Sequence, residues 1–153
     1  MNQYSVNSLE EFKYNFNRIH SLKLKNFRSY NDLKCSFDGR PAVLLGSNGS
    51  GKTNILEALS LLSPGRGLRG AAFDQFRNIK GPNEWGIIAE IFSNDQMIKV
   101  STGVSAGRIR GRDVKVNDKK VTSSTALPSI LSLSWVTPSM VAGATSRVFA
   151  ETG

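Results

Sequence analysis

The stretch GSNGSGKTN, Gly46–Asn54, has the residue types and spacing to do chemistry. It satisfies G-x-x-x-x-G-K-[ST], the pattern of a phosphate-binding P-loop. Gly46, Gly49 and Gly51 let the backbone turn tightly and approach a ligand with no Cβ between. The N–H groups of the loop, through Ser47, Asn48 and Ser50 to Asn54, can then face inward as a nest for phosphate oxygens. Lys52 brings a compact positive charge within reach of β- and γ-phosphates. The Thr53 hydroxyl suits Mg2+, an ion that takes few protein oxygens and keeps several waters. A helix opening here adds its positive end. The expected cofactors are therefore ATP and Mg2+.

Such a loop needs a strand before it and a helix after it. The apolar run PAVLLG reads as a short buried strand. In KTNILEALSLLS the residues Ile55, Leu56, Leu59 and Leu62 fall at helical spacing, and Pro64-Gly65 stops the helix. Upstream, HSLKLKNF and DLKCSF alternate as half-buried strands, and Asp38-Gly39 turns the chain toward AVLL. Downstream, residues 64–85 read as a loop with one helical turn at Ala71–Arg77, made positive by Arg66, Arg69 and Arg77. Trp85 to Val121 reads as an antiparallel meander, with turns at Asn94-Asp95 and Asn117-Asp118 and a strand over RIRGRDVKV. SSTALPSIL reads as a short helix capped by Ser124 or Thr125, and LSLSWVTP as a strand. The tail from 141 shows no period.

Hairpin signals on both sides of the P-loop set this layout apart from the alternating strands and helices of a small-molecule P-loop kinase. That kinase is the second class of function considered. It needs an acidic residue to activate its acceptor, and none is placed for that work; a fully parallel core would favour it. A third reading is a structural remnant with apolar surface left uncovered.

The 153 residues, 39% hydrophobic and 21% charged, suit one globular domain. No apolar run approaches the roughly 20 residues of a membrane span, and the first residues carry no secretory pattern. Cys35, the lone cysteine, cannot form an internal disulfide and suits a half-buried strand position; a cytoplasmic setting is expected. His20, the lone histidine, reads as structural. A net charge of +8 favours polyanionic partners, nucleic acid first. Arg108, Arg110, Arg112, Lys115, Lys119 and Lys120 crowd one hairpin, with Asp113 and Asp118 among them. Alternation would set Arg108, Arg110 and Arg112 on one face as a track for DNA phosphates; no aromatic residues interleave to stack bases. A solvated edge strand protected by its charge is the alternative.

LKLKNFRSY, Leu22–Tyr30, resembles the first strand of the RecF and SMC ATPases, in which an Asn/Asp-Phe-Arg-x-Tyr/His signature precedes the P-loop. Gly46–Arg69 resembles that family's P-loop, first helix and Gly-Arg loop, and LSWVTPSM its strand ending in Thr-Pro. The likeness runs from about Ile19 to Met140. It implies an α/β fold: an incomplete ABC-ATPase-like lobe of the P-loop NTPases, with a mixed sheet and an antiparallel meander. Residues 18–140 would form that lobe, 1–17 a loosely held extension and 141–153 a diverging tail. By the same resemblance Arg28 lies near the nucleotide phosphates, and ATP is held between two subunits of a homodimer. The partners implied are single-stranded or gapped DNA and other recombination mediators. Arg66 and Arg69 match basic family positions; whether they serve nucleotide, DNA or solubility stays open. The family also carries a Walker B strand, a signature helix and a switch histidine, and none is found in this sequence. Glu90 sits inside WGIIAEIF on its solvent face, and Asp74 follows too short an apolar run. The expectation is weak Mg-ATP binding without useful hydrolysis.

Overall fold

A computed structural model of the chain describes residues 17–107, 111–122, 126–128, 130–131, 133–136 and 147–149. β1 (Arg18–Phe27) and β2 (Tyr30–Ser36) form the first hairpin. β3 (Trp85–Ser93) and β4 (Gln96–Val104) form the second, and β5 (Asp113–Val116) and β6 (Lys119–Lys120) the third. They make one six-stranded sheet in the order β2-β1-β3-β4-β5-β6. Every pairing in it is antiparallel. β7 (Ser134–Val136) and β8 (Arg147–Phe149) pair in a separate small sheet.

The hairpin turns follow from their residues. Asn94-Asp95 and Asn117-Asp118 all take positive φ, which Asn and Asp tolerate and a two-residue hairpin of matching twist requires. Period-two alternation decides the faces. Leu22, Leu24, Trp85, Ile87, Ala89, Ile91, Val100 and Val114 point to one side and are buried. Helix α1 (Lys52–Ser60) lies against that side, contributing Ile55 and Ala58, with Leu61 and Leu62 just past its end. Beside it Phe27, Phe76 and Trp85 form an aromatic cluster with ring centroids 5.5 to 5.7 Å apart. Phe27 and Phe76 stack, and Trp85 meets both edge-on, an arrangement that suits the ring quadrupoles. Phe76 belongs to a short 3-10 turn, Phe73–Phe76, within the helical turn expected from sequence. The Trp85 indole N–H donates to the Phe73 carbonyl at 2.6 Å and ties this turn to the sheet.

Three sequence expectations need correcting. PAVLLG forms no strand: residues 41–47 make no ladder, and Val43 and Leu45 are 79% and 87% exposed. An apolar run becomes a buried strand only where neighbours accept its hydrogen bonds, and no described strand lies beside this one. Asp38-Gly39 accordingly does not close a second hairpin; the Asp38 carboxylate instead accepts from the Arg40 backbone N–H at 3.1 Å. Within RIRGRDVKV the described strand is Asp113–Val116, with Gly111 and Arg112 outside the ladder. The tail, in which the sequence shows no period, contributes β8. The caps proposed for the helix near residue 124 lie outside the described residues.

Candidate functional site

The loop Gly46–Gly51 leads directly into α1. Gly51 precedes the first helical residue at φ +94°, and no side chain caps the helix N-terminus. The Asn54 N–H donates to the Gly51 carbonyl at 2.8 Å, while the Lys52 and Thr53 N–H groups at the helix start have no intrahelical partner and remain available to an anion. The Lys52 ammonium donates to the Gly46 and Ser47 carbonyls at 2.6 and 2.7 Å. The loop is thus curled round its own cation. A Cβ built on Gly49 would meet nothing within 4 Å, so the loop's outer side is open. Thr53 is exposed in the first turn of α1. The donors fit a nucleotide triphosphate, and the Thr53 hydroxyl is a hard oxygen suited to Mg2+.

The tip of the β1–β2 hairpin braces this loop from beneath. The Asn54 side-chain amide donates to Ser29 Oγ at 2.9 Å, and the Tyr30 hydroxyl reaches the Ser50 carbonyl at 3.4 Å. A Cβ on Gly51 would lie 2.5 Å from that Tyr30 oxygen. At φ +94° and this close to Tyr30, Gly51 is a position where the protein's own packing disfavours a larger residue.

Arg28 completes the brace. Its Nε and Nη2 donate to the two Glu57 carboxylate oxygens at 2.7 and 2.9 Å, a bidentate fork. Nη1 donates to the Gln75 carbonyl at 3.0 Å, and the guanidinium lies 4.8 Å over the Phe76 ring. Glu57 is fully buried on α1, and Arg69 approaches the same carboxylate at 3.5 Å from the Gly-Arg loop. The two arginines supply the opposite charge that a carboxylate in a buried position needs beside it. Sequence reasoning gave no role to Glu57 or Ser29 and took Tyr30 only as a position of the family signature. Glu57 left one signal: it is the only acidic residue of α1 and stands among the apolar residues Ile55, Leu56, Ala58 and Leu59.

The residues proposed for DNA divide. Arg112 turns inward: Nη1 donates to the Leu61 carbonyl, Nη2 to the Ser63 carbonyl at 2.8 Å, and the guanidinium sits 5.5 Å over Phe73. These carbonyls lie just past the end of α1, where the helix dipole favours a cation. Burial pulls the Arg112 pKa down to about 10, so it stays charged at neutral pH. The expected outward row of three arginines does not include it. Arg108 and Arg110 lie outside the described residues. Lys115, Lys119 and Lys120 are exposed on β5 and β6. Arg66 is exposed in the loop after α1. Glu90 is on the outer side of β3 as expected, its carboxyl held below the usual range by the Ser21 hydroxyl bond. Burial pushes the half-buried Cys35 thiol up.

An antiparallel sheet laid on the helix that a P-loop opens defines the N-terminal lobe of the RecF and SMC class of ATPases. The family described as the RecF/RecN/SMC N terminal domain matches residues 18–150, and this chain belongs to it. The DNA replication and repair protein RecF of Rhizobium etli is 40% identical over 120 residues, which are 78% of this chain and 32% of the relative. RecF of Brucella abortus is 41% identical over 126 residues, 80% of this chain and 32% of the relative. The chain therefore spans about a third of the length of these curated relatives. Among solved structures, the recombination mediator RecF with ATP, in the RecFOR pathway, superposes with a TM-score of 0.68 at 23% identity, covering 78% of this chain and 31% of that one. An SMC ATPase, from a study of ATP-driven dimerization and DNA-stimulated activation, gives 0.60 at 22% identity, covering 72% and 75%. At such identity these two establish a shared fold.

Proposed function

We propose that this chain is the ATP-binding N-terminal portion of a RecF-like DNA replication and recombinational repair protein. The observation that carries the proposal is the Gly46–Asn54 loop, curled round Lys52 at the uncapped start of α1. Gly46 to Asn54 hold the phosphates, Thr53 takes one position on Mg2+, and Lys52 exchanges its carbonyl partners for phosphate oxygens. Arg28 supports the loop through Glu57 and the hairpin tip. The chain alone binds Mg-ATP but does not turn it over at a useful rate, because its sequence offers no apolar strand ending in the acidic pair that would orient an attacking water. Within a whole protein of this family the site would close against a second copy in an ATP-dependent homodimer. DNA, single-stranded or gapped, and other recombination mediators would be the partners, in the cytoplasm. The antiparallel sheet weighs against a small-molecule kinase. Among the described residues no helix is long and apolar enough to cross a membrane.

The test is a thermal melt with and without Mg-ATP, with Lys52→Ala as control. Nucleotide at 100 times its Kd stabilises the native state by about 2.7 kcal/mol. At roughly 2–4 °C per kcal/mol for a chain of this size, Tm rises by about 5–11 °C. The control is expected to lose most of that rise. A wild-type melt unchanged by Mg-ATP refutes the nucleotide reading; phosphate release that disappears in Lys52→Ala refutes the absence of turnover.

A further inference from the structure

The sheet has a second face, turned away from α1, and its cross-strand register places charge there in a way no local pattern reveals. One transverse line crosses all six strands: Lys34 pairs with Lys23, Lys23 with Ile88, Ile88 with Ser101, Ser101 with Lys115 and Lys115 with Lys120. Each end of the line is two lysines directly opposite one another. Like charges in that position destabilise a sheet. The four lysines are exposed.

The carboxylates of this face do not cancel the row. Asp32 is held by Lys25 and Asp118 by Lys99, at 2.9 and 2.8 Å. Asp113 accepts from Lys120 at 2.9 Å, so Lys120 is partly compensated. Glu90, in the neighbouring line, accepts from Ser21 at 2.6 Å and feels Lys23 and Lys34 only through space. Lys23, Lys34 and Lys115 have no ion-pair partner among the described residues. The line beside the row pairs Gly86 with Gly103, leaving bare backbone in an open groove lined by Lys25, Ile88 and Lys115 and also by the Glu84 and Asp113 carboxylates.

We propose that this face is a docking surface for the phosphate backbones of duplex DNA, with Lys34–Lys23 and Lys115–Lys120 as its two contact points. The proposal rests on the DNA-binding reading given above and assigns a place to the duplex arms of a gapped DNA. Strands about 4.8 Å apart put three spacings, about 14 Å, between Lys23 and Lys115. The major groove of a duplex is about 12 Å wide, so the inner lysines of the two pairs, Lys23 and Lys115, lie at about the spacing of the two backbones that flank it. The row has no aromatic side chain on which a single strand could stack its bases. A protein partner would have to bury lysines, which interface cores avoid. A bound polyanion would relieve the repulsion within each pair, giving the opposed lysines a purpose the sheet alone does not.

The test uses the whole chain and a fluorescently labelled duplex longer than the sheet is wide. Four lysine–phosphate contacts give log K a slope of about −3.6 against log salt, so affinity falls about 150-fold between about 50 and about 200 mM. Replacing Lys23 and Lys115 together by Gln is expected to weaken binding and to reduce the slope by about 1.8. Lys80→Gln, exposed beyond the 3-10 turn, is expected to change neither. Circular dichroism and melts without DNA check folding: the double variant is expected to melt at or above the wild type in low salt, because repulsion has been removed. A lower Tm overturns the repulsion argument. Duplex binding that keeps its affinity and slope in the double variant overturns this placement and leaves the DNA reading intact. Failure of the wild type to bind duplex at low salt removes the DNA reading and this proposal with it. Lysine-dependent binding to phosphatidylserine vesicles but not to duplex identifies a membrane surface as the occupant instead.

Discussion

Removing the Glu57 carboxylate tests whether the P-loop's support is electrostatic. Glu57→Ala leaves Arg28 with the Gln75 carbonyl and the Phe76 ring but takes away both bonds of its fork. The Arg28 side chain is 22% exposed and Glu57 is not exposed at all, so water replaces little of what is lost. Breaking a buried pair from one side costs about 3–5 kcal/mol. Arg69, 3.5 Å away and 48% exposed, is partly screened and adds little. Against a total stability of about 5–15 kcal/mol this is a large fraction, and it lowers Tm by roughly 6–20 °C. The assay is urea unfolding followed by circular dichroism, repeated as a melt with Mg-ATP. Glu57→Gln keeps the shape and one acceptor, and is expected to lose about half as much. Arg28→Met combined with Glu57→Leu replaces the pair by apolar bulk and is expected to recover most of the stability. A loss under about 1 kcal/mol for Glu57→Ala, or a double variant worse than either single one, refutes the reasoning.

Gly51→Ala places a Cβ 2.5 Å from the Tyr30 hydroxyl at φ +94°, whereas Gly49→Ala at φ +83° meets nothing within 4 Å. Both variants carry about 1–2 kcal/mol of backbone strain, but only the first adds a clash; equal Tm losses would show that Tyr30 does not set the loop's seat. Arg112→Met leaves the Leu61 and Ser63 carbonyls without their guanidinium, and is expected to cost about 1–3 kcal/mol in urea unfolding. No change there would mean that water replaces Arg112 at the helix end. The Glu90 carboxyl has a lowered pKa in the folded state, so its stabilisation is present above the unfolded value of about 4.3 and is lost as pH falls through the folded one. Ser21→Ala is therefore expected to lower Tm at pH about 6 and to converge with the wild type as acid is added; a gap that persists to the lowest pH assigns it to packing.

The residues alone determined what is local. A loop of small residues ending in Lys52-Thr53, a helix stopped at Pro64-Gly65 and hairpins turned by Asn-Asp pairs each follow from backbone preferences over a few positions. The tertiary structure decided what depends on distant neighbours. PAVLLG has the composition of a buried strand and is exposed, because a strand exists only beside another. Arg28 and Glu57 are 29 positions apart, and only the docking of α1 on the hairpin makes them a pair. Arg112 looked like part of an outward basic row until the end of α1 offered it two carbonyls. The lysine row could not be read from any one strand, because register across five ladders sets which charges face each other. A slip of one residue in any of them would have moved every side chain of that strand to the other face.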